Sequence, residues 1–113
     1  MTDALAAPAA LDPEAMKAAA TRACRLLKAL SNPDRLLLLC QMLEGEPTVG
    51  ELETALGIPQ PTLSQQLAVL REEGLVSTRR EGRHIHYRIA SPEAQALLHT
   101  LHQLFCHPQD STA

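Results

Sequence analysis

The chain has no Trp, a single Tyr (Tyr87) and a single Phe (Phe105) in 113 residues. With aromatic side chains so scarce, Leu and Ala must supply the buried surface, which favours close-packed helices over a sheet sandwich. No apolar run approaches the ~18 residues that span a bilayer, and no charged-then-apolar leader opens the chain, so a cytoplasmic protein with no membrane contact is expected. Catalytic signatures are lacking as well. No Ser-His-Asp or paired-carboxylate arrangement stands out, no glycine loop could cradle phosphate, and no Cys-x-x-Cys is present. Neither an enzyme nor a resident cofactor is expected. A basic surplus is missing too: the formal net charge is -3, which argues at first sight against a nucleic-acid partner. Distribution matters more than the sum. Between Gly57 and Ala90 five Arg (Arg71, Arg79, Arg80, Arg83, Arg88) stand against three Glu (Glu72, Glu73, Glu81), and the flanking segments hold the acidic excess.

What is present fits one domain. Residues 1–12 are small, Pro-punctuated and without amphipathic pattern, and are expected to form a mobile tail. Residues 13–107 form the domain and residues 108–113 a second tail. Asp12 can cap a first helix with Pro13 at its first position, and Met16, Ala19, Ala20, Ala23, Leu26, Leu27 and Leu30 follow at helical spacing. Ser31-Asn32-Pro33 breaks it. A second helix runs from about Pro33 to Glu44, and its centre, Leu36 to Cys40, is apolar all round, predicting burial on most sides. Thr48 and Glu51 spell a capping box for a third helix with Val49, Leu52, Ala55 and Leu56 inside and Gly57 as its stop. A fourth helix runs from about Pro61 to Glu73, with Leu63, Leu67 and Leu70 inward.

After Gly74 the period changes. Leu75 to Thr78 reads as strand, the turn is at Glu81-Gly82, and Ile85, Tyr87 and Ile89 alternate with His84, His86 and Arg88 as in a half-buried strand. Ser91-Pro92 caps a last helix bearing Leu97, Leu98, Leu101, Leu104 and Phe105 that ends near Cys106. The expected fold is mainly α with a β-hairpin wing, in the order α-α-α-α-β-β-α.

Two short helices joined by a tight glycine turn, the second with polar side chains at its start, form a helix-turn-helix. Gln60, Thr62, Ser64, Gln65 and Gln66 are the candidate base-reading residues in a major groove. The hairpin carries Arg79, Arg80, Arg83 and His84 around its tip, a basic wing suited to phosphate or minor-groove contact. His84 and His86 flank Ile85 on the outward face and point to DNA or solvent. A protein-interaction module using the same fold without reading DNA is the alternative from another class.

Ser31-Asn32-Pro33-Asp34-Arg35-Leu36, then Gln60 to Leu67 and Leu70-Arg71-Glu72-Glu73-Gly74-Leu75-Val76, and the wing Arg79 to Tyr87 together resemble the ArsR family of bacterial repressors. The likeness covers roughly Ala20 to Cys106. It implies a winged helix-turn-helix homodimer joined through its first and last helices. Such a dimer binds a pseudo-palindromic operator in double-stranded DNA, its recognition helices about one turn apart.

The resemblance also implies an inducer that releases DNA. The family's third-helix metal site needs a Cys-x-Cys-type motif, and Val49-Gly50-Glu51-Leu52 stands there instead. Its last-helix site opens on Asp-x-His, where this chain has Glu93-Ala94-Gln95, so no metal site is assembled; His99, His102 and His107 remain as the alternative, a metal-responsive repressor. Cys40 in the second helix and Cys106 at the end of the last resemble the pair in the persulfide-sensing branch of the family. That likeness implies that reactive sulfur species such as persulfides bridge the two thiols by a di- or polysulfide and weaken DNA binding. Packing is the competing role for Cys40, and Cys24, in the first helix, is expected to pack near the dimer interface.

Overall fold

The computed structural model describes residues 12–106, so the tails expected at 1–12, apart from Asp12, and at 108–113, together with His107, lie outside the described residues. Helix α1 (Pro13–Leu30) starts where Asp12 accepts a hydrogen bond from the Ala15 amide at 2.7 Å. Helix α2 (Pro33–Gln41) starts in the same way at Asn32, which accepts from Arg35 at 3.0 Å. Thr48 and Glu51 close the reciprocal capping box on α3 (Val49–Leu56), each side chain accepting the other's backbone amide. Helix α4 (Gln60–Glu72) follows Pro59 and has no side-chain cap. Strands β1 (Val76–Glu81) and β2 (His84–Ile89) pair antiparallel in a register running from Val76↔Ile89 to Glu81↔His84. Ser91 then caps α5 (Pro92–Phe105). The result is the five-helix, one-hairpin order expected from the sequence.

Three local departures have physical causes. Helix α2 ends at Gln41 rather than Glu44, because Met42 and Leu43 donate to Leu39 and Cys40 in tight i→i+3 bonds that close its last turn. Residues 44–47 are thereby free to form a strap. The hairpin turn falls one residue later than Glu81-Gly82: Glu81 stays in the ladder opposite His84, and Gly82 supplies the positive φ of 65° that a two-residue hairpin loop needs. Finally, α2 is not buried all round. Leu38 and Leu39 are fully enclosed, but Leu37 is 46% exposed and faces a surface cleft.

The core is built from Leu side chains of every helix, with Leu38, Leu39, Leu52, Leu63, Leu70 and Leu98 fully buried and Tyr87 closing the edge beneath the wing. Ala55 and Ile85, expected inward, are exposed. Leu63 joins α4 to this centre, so Leu63→Ala should cost about 2–5 kcal/mol of unfolding free energy, read from urea denaturation; a loss under about 1 kcal/mol is the range of a surface site and would mean that α4 is held from outside the core.

Candidate nucleic-acid interface and thiol cavity

Helices α3 and α4 are joined across Gly57, whose φ of 68° lies in the left-handed region and whose amide donates to Glu53 O at 2.8 Å. That turn sets α4 so that Leu63, Leu67 and Leu70 are buried while Gln60, Ser64 and Gln65 stand exposed. Ser64 Oγ donates to Gln60 Oε1 at 2.8 Å, which holds two polar groups in line along one helix edge. Thr62 and Gln66 are half-buried. Gln66 Oε1 accepts from Arg35 Nη1 at 2.9 Å, while Arg35 also donates to Ala29 O at 2.7 Å and Lys28 O at 3.2 Å. Gln66 therefore ties α4 to the α1–α2 junction, and Gln65 is the glutamine left open to a groove. The start of α4 carries no side-chain cap, and the positive end of a helix dipole favours an anion.

The wing sorts its charges by strand face. Ser77, Arg79 and Glu81 share one face with His84, His86 and Arg88, and Arg80 shares the other with Ile85. Arg79 is turned toward the protein, with Nη1 3.1 Å from Glu81 Oε1 and Nε 3.0 Å from Glu46 Oε1. Those hydrogen bonds, to Glu81 first and Glu46 second, raise an already high guanidinium pKa. His86 is held against the same strap, Nδ1 lying 2.6 Å from Glu46 O, rather than facing DNA or solvent. Arg80, Arg83 and His84 are exposed around the tip. The long-range partner of Arg79 carries no periodic signal, and the sequence gives no hint of Glu46.

On the side of α2 that carries Leu37, Cys40 and Gln41, an open cavity of about 550 Å³ separates that helix from the end of α5. Cys40 and Cys106 both line it, with His102 beside them and residues 44–47 as a wall. Both thiols are free: Cys40 is half-buried and Cys106, at the C-cap of α5, is exposed. Burial pushes the Cys40 thiol up, and the negative charge of a Cys106 thiolate adds to the shift. Cys24 is exposed on α1 and does not line the cavity. His99 and His102 are exposed, and among the described residues no three His, Cys, Asp or Glu are grouped to hold a metal ion.

A raised pKa leaves less thiolate at any given pH. Iodoacetamide at neutral pH should therefore label Cys24 and Cys106 before Cys40, and the Cys40 rate should keep climbing with pH beyond the ordinary thiol range. Peptide mass spectrometry reads the order; Cys40 labelled first would contradict the geometry.

Comparison with known proteins agrees with this architecture. The pattern described as "Bacterial regulatory protein, arsR family" matches residues 32–78, from the Asn32 cap into β1. The biofilm growth-associated repressor of Agrobacterium fabrum (strain C58) is 52% identical over 97 residues, covering 86% of this chain and 83% of that protein. The transcriptional activator HlyU of Vibrio cholerae is 44% identical over 91 residues, covering 80% of this chain and 84% of its own. The crystal structure of the transcriptional repressor BigR from Xylella fastidiosa superposes with a TM-score of 0.77 at 50% identity, covering 85% of this chain and 98% of that one. Among the described residues no helix is long and apolar enough to cross a membrane. The chain is a winged helix-turn-helix transcriptional regulator and belongs to the ArsR family.

Proposed function

We propose that the protein is a homodimeric repressor that leaves a pseudo-palindromic operator when reactive sulfur species join Cys40 to Cys106. The observation that carries this reading is the shared cavity, lined by a half-buried thiol on α2 and an exposed thiol at the end of α5. Base contacts belong to Gln60, Ser64 and Gln65 on the outer edge of α4, with Thr62 at its margin. Arg80, Arg83 and His84 supply the wing's phosphate contacts. The dimer is supported by apolar side chains left uncovered on the first and last helices: Met16 and Leu27 are each 53% exposed, Leu104 64% and Phe105 78%. An apolar patch of this kind marks a partner surface, and a two-fold pairing places two α4 helices on one duplex.

The chemistry balances with the donor's sulfane sulfur as the two-electron oxidant. An exposed Cys106 thiolate attacks the sulfane sulfur of a persulfide donor, and the donor's thiolate leaves. The Cys40 thiolate then attacks the Cys106 persulfide at its inner sulfur, forming the disulfide and expelling hydrosulfide. If a further sulfane sulfur has been added first, it stays in the bridge and the same hydrosulfide departs. A direct disulfide requires Cα atoms within about 7 Å; a longer sulfur chain relaxes that limit, and the open cavity has room for one.

Mass spectrometry of the treated chain tests the reading. The bridge is expected as a joined Cys40–Cys106 peptide that has lost two hydrogens, with no added sulfur for a disulfide and whole sulfur atoms added for a longer bridge. Recovery of two separate, unjoined thiols from protein that has released DNA would overturn it.

A further inference from the structure

The strap between α2 and α3 belongs to two sites at once. On one side Glu44, Gly45, Glu46 and Pro47 form the wall of the thiol cavity. On the other the strap carries the wing: Tyr87 donates to Pro47 O at 2.9 Å, Thr48 bridges to His86, and Glu46 holds Arg79 at 3.0 Å. Its two ends are fixed. Leu43 donates to Cys40 O at 3.2 Å, tying the strap's start to the thiol-bearing turn of α2. At the other end Thr48 is locked by the capping box, and Glu51 of that box also lines the cavity. Between these ends Pro47 has a fixed φ, and the residue before a proline is restricted to extended backbone. A displacement of Glu46, which itself lines the cavity, is therefore passed to Pro47 rather than absorbed between them.

We propose that Glu46 is the positioning residue through which the state of the thiol cavity reaches the wing, by way of its ion pair with Arg79. Joining Cys106 to Cys40 narrows the cavity, the strap gives way, and the Glu46–Arg79 clamp shifts the hairpin relative to α4. Arg79 in this arrangement anchors the wing rather than binding phosphate, and Arg80 and Arg83 are carried with it. Exposed ion pairs contribute little to stability, so the clamp's role is geometric: it fixes where the hairpin sits, and its loss leaves the fold intact.

The inference rests on the reading that Cys40 and Cys106 can be joined, but its test needs neither sulfur donor nor DNA. In the full-length Cys24→Ser chain, dibromobimane cross-links Cys40 to Cys106, each thiolate displacing one bromide. Hydrogen exchange of the peptides covering residues 76–89 is then compared with the uncross-linked chain. Cross-linking should change wing exchange by about fivefold, within the usual range of coupling between sites. Glu46→Ala and Arg79→Ala should each abolish most of that change, and the double variant should do no more than either alone. Glu46→Gln, which keeps an acceptor for Arg79 without the charge, should retain an intermediate response.

Wing exchange indifferent to the cross-link, a full response in Glu46→Ala, or failure of the two thiols to be cross-linked would each overturn the proposal. Persulfide-driven DNA release is measured separately on the same variants. Release without a wing response sinks the clamp and leaves the sensing reading standing. A wing response without release does the reverse.

Discussion

A persulfide donor added to the reduced protein should lower its operator affinity about 5- to 150-fold, the usual size of coupling between two linked sites. The Cys40→Ser, Cys106→Ser chain should bind the operator as the reduced protein does and show no response. Each single variant should behave like the double one, because a bridge needs both sulfurs. Fluorescence anisotropy of a labelled operator checks all four proteins at fixed salt, which matters because charge-driven affinity changes steeply with ionic strength. Linkage makes the effect reciprocal: operator DNA must disfavour the bridge by the same factor that the bridge disfavours DNA. Bound DNA should therefore shift the Cys40–Cys106 equilibrium toward free thiols, and no such shift would mean that the cavity and the DNA surface are not coupled.

The second large effect separates base reading from phosphate contact. Gln65→Ala should weaken binding to the operator by about 1–3 kcal/mol and leave binding to unrelated duplex, and the salt slope, nearly unchanged. Arg83→Ala should weaken binding to every duplex and lower the slope of log affinity against log salt by about one. The contrast follows from placement. Gln65 stands exposed on α4, whereas Arg83 is exposed in the turn at the tip of the hairpin, where the proposed docking calls for a phosphate contact. Gln66→Ala, by comparison, acts through Arg35 and the α1–α2 junction, so its effect should appear in the position of α4 on all sequences rather than in base preference. Equal losses on operator and unrelated DNA for Gln65→Ala would remove it from the base-reading set.

Much of this was legible because the signals are local. The cap residues Asp12, Thr48 and Ser91 lie three residues from the amides they satisfy and are readable from short sequence windows, whereas Asn32, read as part of a helix break, also caps α2. The inward Leu63, Leu67 and Leu70 follow from helical period alone. The outward Gln60 and Gln65 come with them, whereas the hairpin register is set by a turn one residue later than the sequence suggests. The contacts that orient the wing are of another kind. Arg79 to Glu46 spans 33 positions and His86 to Glu46 spans 40, and nothing in period or composition pairs residues so far apart. The same blindness applies to Gln66, whose Oε1 accepts from Arg35 across 31 positions.

Apolar content also misled at Leu37, Ala55 and Ile85, because hydrophobicity reports that a side chain is better covered without saying by what. Leu37 borders the thiol cavity, and Ile85 shares the wing face of Arg80. The exposed Met16, Leu27, Leu104 and Phe105 would be covered by a second copy of the chain in the proposed dimer.

The central claim is that DNA affinity is set by a covalent bridge between Cys40 and Cys106. The most direct measurement titrates a persulfide donor into one sample and reads bridged fraction by mass spectrometry and operator affinity by anisotropy from the same aliquots. The account predicts that loss of affinity tracks the bridged fraction point by point and reverses when a reducing agent reopens the bridge. Full bridging with operator affinity unchanged, or release that runs ahead of bridging, would contradict it.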